Sequence, residues 1–188
     1  MCFNDDYMNE SFYETEDFSV PEGEKACSCC FTGHRIISAA ERERVLYRLK
    51  STVLWLVSKG ITVFRAGGAV GFDTIAATTV LDLKRSDGRI KLVLELPYRA
   101  QAEKWNEKDM RIYDFIRQSA DEVNYYGENP SGKQKSTELM LKRDRALVDR
   151  SAYCVCYLNK KRGGTAYTVD YAKRNDLEII NLADGVDL

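Results

Sequence analysis

Apolar residues along this chain fall into six short runs separated by longer amphipathic stretches. The runs at 27–31, 61–64, 90–96, 122–125, 152–158 and 178–181 are short and bounded by polar or turn residues, so they read as strands. Between them, apolar positions repeat at helical spacing. Val45, Leu46, Leu49, Val53, Leu56 and Val57 line one face of a helix. Ser38 stands ahead of it with Glu41 three positions on, the pattern of a capping box. Ile75, Ala76, Thr79, Val80 and Leu83 make the face of a second helix. Further helices are predicted over 101–119, 137–150 and 165–174. Continuous apolar strands alternating with helices predict an α/β fold: a Rossmann-like three-layer α/β/α domain with a mainly parallel sheet. Residues 25–188 are expected to form this single domain. The stretch 127–136, with Gly, Asn, Pro and Ser, predicts a loop and a candidate lid.

Composition narrows the partners. The 188 residues carry a net charge of −1, which gives no bulk electrostatic case for nucleic acid or a membrane surface. No apolar run approaches the roughly 20 residues that cross a bilayer. Residues 1–24 are acidic and polar, without the basic segment and apolar core of a secretion signal. They are expected to be a mobile tail, and the protein to be cytoplasmic. Of the six cysteines, Cys27, Cys29, Cys30, Cys154 and Cys156 fall in apolar runs, and Cys2 lies in the tail. With one histidine and no metal-ligand spacing, the thiols are expected to pack as small hydrophobes, and no metal or cofactor is expected.

The richest stretch is Arg65-Ala66-Gly67-Gly68-Ala69-Val70-Gly71-Phe72-Asp73. It joins a strand to a helix through glycines, with an acid where the helix begins. Glycines there let a ligand approach the backbone, and a helix start points free N–H groups at an anion. A second such turn, Arg162-Gly163-Gly164-Thr165, opens the last helix.

Ligands of doubly wound sheets bind beyond the carboxyl ends of the strands. Thr32, Gly33, His34 and Arg35 follow the first strand there. Gly67, Gly68, Gly71 and Asp73 follow the second, Gln101 and Trp105 the third, and Gly163, Gly164 and Thr165 the fifth. Backbone N–H groups and arginine suit phosphate, aromatics suit stacking, and a carboxylate suits ribose hydroxyls. Arg143 shares the apolar face of its helix with Met140 and Leu147. A core-facing arginine needs a partner: a buried carboxylate among Asp73, Asp144 and Asp149, or a ligand phosphate.

These motifs resemble the SLOG superfamily, which joins the DprA/Smf DNA-processing proteins with the LOG proteins, and within it the YpsA-like branch. The resemblance rests on Cys29 to Arg35, Gly67 to Ala77, Pro97 with Gln101 and Trp105, Arg143-Asp144 through Val148-Asp149, and Gly163-Gly164-Thr165 with Thr168, Val169, Tyr171 and Ala172. It implies a Rossmann-like domain that binds, and in a sensor reads, a nucleotide or nucleotide-derived ligand, with Thr168 among the pocket residues. A homodimer is an analogy to relatives. LOG enzymes cleave nucleoside monophosphates with an arginine and a glutamate. Arg143 is similar to that arginine, whereas Thr168 stands at the glutamate position. Threonine cannot activate water as a carboxylate does, which weakens a phosphoribohydrolase and leaves Arg143 and Asp73 as its catalytic candidates. DprA proteins bind single-stranded DNA; the lack of a basic excess here argues against that partner.

Overall fold

A computed structural model of the chain describes residues 20–183. Six parallel strands build one sheet: β1 (Ser28–Gly33), β2 (Val63–Ala66), β3 (Lys91–Leu96), β4 (Glu122–Tyr125), β5 (Tyr153–Tyr157) and β6 (Glu178–Asn181). Their order across the sheet is β4-β3-β2-β1-β5-β6. The chain steps outward from β1 to β4, then crosses back to β5 on the far side of β1. The strand order therefore reverses between β1 and β5, where Thr32 pairs with Cys156 and Gly33 with Tyr157. The Rossmann-like fold and its parallel sheet are as the apolar pattern predicts.

Six α-helices accompany the strands: α1 (Glu22–Ala26), α2 (Ala39–Ser58), α3 (Phe72–Lys84), α4 (Glu107–Ser119), α5 (Lys133–Asp149) and α6 (Gly164–Arg174). α2, α3 and α4 pack with Phe31, Phe64 and Leu94 in one core. α5 and α6 pack with Cys30, Cys154 and Cys156 in the other. The four inner thiols, Cys29, Cys30, Cys154 and Cys156, are free and fully buried, as small hydrophobes are; Cys27 is half-buried, and Cys2 lies outside the described residues.

Local signals explain the helix bounds. Ser38 caps α2, accepting from the Glu41 backbone N–H and donating to its carboxylate at 2.6 Å. Val45, Leu49, Val53 and Leu56 of α2 are buried, but Leu46 is exposed, because it sits one position off that i, i+4 line. The helix predicted over 101–119 is two elements. A 3-10 turn (Arg99–Ala102) comes first, and Asn106 then caps α4 by accepting from the Asp109 N–H at 2.9 Å. α5 begins at Lys133, so the last part of the predicted 127–136 loop is helical.

The N-terminal prediction also shifts. Glu22 to Glu24, assigned by sequence to the tail, lie in α1. Glu24 reaches the guanidinium of Arg65, which is 1% exposed on β2. Arg65 also pairs with Glu95 of β3 at 2.7 Å, and Glu95 accepts from Tyr126 at 2.7 Å and lies 3.4 Å from Arg150. Two acids and two guanidiniums thus share one network, with Arg65 and Glu95 buried and paired at its centre and Glu24 and Arg150 partly exposed at its rim.

Candidate functional site

The carboxyl ends of β1, β2 and β5 bring most of the predicted residues to one rim. His34 anchors it. Its backbone N–H donates to Tyr157 O at 3.3 Å, its carbonyl accepts from Phe72 N–H at 3.2 Å, and its Nε2 accepts from Asn159 N–H at 3.2 Å. One residue thereby ties β1, α3 and the β5–α6 loop together. An accepting Nε2 carries no proton. Burial first, and then the Lys160 charge, lower the His34 pKa and keep the ring neutral.

The first glycine turn is filled by protein. A Cβ on Gly67 would lie 1.9 Å from Arg143 Nη1 and 2.9 Å from Asp73 Oδ2. Gly68, at φ 65°, faces Leu96, Gln101 and Tyr113, and Gln101 Nε2 donates to Gly68 O at 3.1 Å. Gly71, at φ 86°, lies against the Arg35 carbonyl, 2.3 Å from where its Cβ would stand. These glycines are required by neighbours of the same chain, not by an open approach for a ligand.

Arg143, 8% exposed, crosses from the α5 layer over the end of β2. Its Nη1 donates to Gly67 O. Its Nε lies 2.7 Å from Asp144 Oδ1, but in a direction that closes no hydrogen bond. Asp73, 5% exposed at the start of α3, accepts from the Ala69 N–H at 3.2 Å. Burial pushes the Asp73 carboxyl up to about 6, against the pull of Arg143 and that N–H. Burial also raises Asp144, opposed by Arg143, by the Thr168 hydroxyl and by Arg35. Thr168 Oγ1 donates to Gly164 O at 3.0 Å, so its one proton cannot serve Asp144 at the same time. An arginine thus stands among two carboxylates that both hold protons more tightly than usual. Of the carboxylates weighed in the sequence as partners, Asp144 lies beside Arg143, and Asp73 feels its charge.

The second glycine turn is the opposite case. Gly163, at φ 96°, caps α6, and nothing lies within 4 Å of a Cβ on Gly163 or Gly164. No side chain caps the α6 first turn. Lys160, Lys161 and Arg162 lead into it and are exposed. That basic run was legible in the sequence as three consecutive cations, yet whole-chain charge hides it. Thr165 is half-buried in the first turn of α6, and Thr32 is buried at the end of β1.

Trp105 takes no part in the rim. Its ring meets Tyr113 edge-on, centroids 5.4 Å apart, and packs against the core. Two grooves lie on the same side as Trp105. One of about 380 Å³ runs between α2, α3 and α4, lined by Arg42, Thr78, Arg111 and Phe115. The other, about 340 Å³, lies between the 3-10 turn and α4. Among the described residues no cluster of three or more His, Cys, Asp or Glu suits a metal ion, and no helix is long and apolar enough to cross a membrane.

The profile of the YspA SLOG family matches residues 37–182. The chain belongs to this family. A UPF0398 protein of Halalkalibacterium halodurans is 27% identical over 122 residues, covering 65% of this chain and 64% of that relative. The SPbeta prophage-derived protein YoqJ of Bacillus subtilis is 27% identical over 146 residues, covering 70% of this chain and 84% of YoqJ. Among solved structures, DNA processing protein A (DprA) from Streptococcus pneumoniae is similar with a TM-score of 0.60 and 19% identity, over 84% of this chain and 50% of that one. The Helicobacter pylori DNA processing protein A, described for its single-stranded DNA binding mode, gives 0.57 and 13%, over 82% and 64%. This SLOG chain therefore spans half to two thirds of those two proteins, and at such identity the likeness concerns the fold. The family match takes in both glycine turns, Asp73, Arg143 and Thr168, while Thr32 to Arg35 precede it. The buried carboxylate beside Arg143 is Asp144. The sequence weighed Asp144 only as a partner for Arg143; its adjacency to Arg143 was the available signal.

Proposed function

We propose that this SLOG domain binds a nucleotide or nucleotide-derived phosphate ligand beyond the carboxyl ends of β1 and β5, and serves as a ligand sensor rather than a catalyst. The observation that carries this is the open turn at Gly163-Gly164-Thr165, uncapped, unobstructed and flanked by Lys160 to Arg162. Phosphate fits such a helix start by charge and by hydrogen bonding. Thr32, His34 and Arg35 stand across the strand-order reversal from it, where a sugar or base would extend. Arg143 and Asp73 support the floor of the site through Gly67. Thermal-shift measurement against nucleoside mono-, di- and triphosphates tests this: a ligand that binds only the folded state raises its melting temperature. No shift from any of them at millimolar concentration removes the reading. Release of free base from nucleoside monophosphates is the parallel assay for hydrolysis, with Arg143, Asp73 and Asp144 as the groups to substitute.

Single-stranded DNA is the second reading, favoured by the DprA-like fold and by the local run Lys160-Lys161-Arg162. The net charge of −1 works against it. Fluorescence anisotropy of a labelled oligonucleotide at two salt concentrations separates the two. Phosphate-backbone binding uses many ion pairs and weakens steeply with salt, whereas a single mononucleotide phosphate at a helix start uses few and weakens less.

A further inference from the structure

The groove between the 3-10 turn and α4 carries chemistry that the rim does not use. Arg99, Arg117, Tyr113 and Tyr125 give it polar groups, and Ala102 and Met110 apolar surface. The Arg99 guanidinium lies over the Tyr125 ring, 4.4 Å from its centroid, and among the described residues it makes no ion pair. Stacking fixes the plane of a guanidinium and leaves its N–H edge directed outward, a geometry that matches a carboxylate or phosphate. Arg117 brings a second guanidinium to the groove, donating to Asp114 Oδ1 at 3.3 Å and interacting with Tyr125. Tyr113 is 7% exposed, and its hydroxyl closes no hydrogen bond. Its neighbour Gln101 gives one of its two amide N–H groups to Gly68 O. The volume, about 340 Å³, is at the small end of the range that holds small molecules.

We propose that this groove is a second ligand site, taking a small organic anion whose carboxylate or phosphate lies between Arg99 and Arg117 and whose apolar body lies against Met110 and Ala102. Glu103 and Asp114 also line the groove, so it favours a single small anion over a polyphosphate. Gln101 and Tyr113 both touch Gly68, so the site abuts the back of the first glycine turn. Occupancy is therefore felt at Gly68, whether or not the rim binds nucleotide.

The test is an amide NMR titration of the full chain with phenyl phosphate, benzoate and neutral benzyl alcohol. Saturable shifts at Arg99, Ala102, Tyr125 and Gly68 are expected with an anion and not with the alcohol. The stronger of the two anions identifies phosphate or carboxylate as the recognised group. Arg99 is exposed, so Arg99→Ala stays folded, and it should weaken the anion at least tenfold; Arg117→Ala should do the same. Benzyl alcohol shifting the same residues equally would overturn the proposal. So would anion shifts confined to 160–166, which would instead support the rim, or wild-type affinity in the Arg99→Ala, Arg117→Ala double variant.

Discussion

The two glycine turns differ in what occupies the space their missing side chains leave. At Gly67 that space belongs to Arg143 and Asp73, and at Gly71 to the Arg35 carbonyl. At Gly163 and Gly164 it belongs to nothing in the chain. Similar sequence signatures thus serve different ends. The first turn closes two helical layers over the carboxyl end of β2; the second leaves a helix start open. A glycine-rich turn points to a ligand only when its cleared space is also empty.

Substitutions grade this contrast. Gly67→Ala should have the largest effect, since its methyl needs the volume of the guanidinium. Displacing a buried, paired arginine costs about 3–5 kcal/mol, read as a lower urea midpoint. A midpoint within experimental error of wild type would mean that the first turn is not closed.

Next comes Asp73→Asn. The native carboxyl titrates near 6 and the unfolded one near 3.8. Between those values the folded state holds a proton that the unfolded chain has released. Asp73 therefore favours folding below pH 4, and this contribution is lost as pH rises through 6. Two units amount to about 3 kcal/mol at most. The asparagine variant should be the more stable protein at pH 8, with a flatter stability profile between pH 4 and 6. Greater loss of stability at pH 8 than at pH 4 in the variant would contradict this.

His34 gives a smaller effect of opposite sign. Its folded pKa is below the ordinary 6.5. Its share of stability is complete above pH 6.5 and declines as acid protonates Nε2 and breaks the Asn159 contact, worth about 1 kcal/mol. His34→Gln keeps an acceptor and should remove that acid-side decline, as followed by thermal melts from pH 7 to 5.

Gly164→Ala should change stability least, by about 0.5 kcal/mol or less, since a methyl there meets no atom. Yet it should abolish most of any nucleotide-induced thermal shift. If Gly164→Ala binds as wild type does, the open turn is not the phosphate site.

Much of the fold was legible because strands buried on both faces announce themselves as continuous apolar runs, and all six predicted strands are present. Helix starts were less legible. Asn106 stops a helix that apolar spacing alone would have extended back to Gln101, and the first turn of α5 has no apolar periodicity to mark it. At the site, Thr32 to Arg35 and both turns converge as strand ends predict. What a linear pattern does not encode is which side chain fills a glycine's space, because Arg143 lies 76 positions from Gly67. Asp144 was weighed only as a partner for Arg143, and Lys160 and Lys161 were passed over, for a related reason: their meaning depends on the layer of the fold that they face.

The α1 contact bears on where the chain can be shortened. A protein trimmed to begin at Lys25 would lose Glu24 but keep Arg65, Arg150 and Glu95. The fully buried Arg65 would then keep Glu95 as its one ion-pair partner among the described residues. The domain's practical left-hand limit is therefore set by charge balance beneath β2 and β3, a few residues ahead of the first strand, and a safe truncation should retain Glu22 onward.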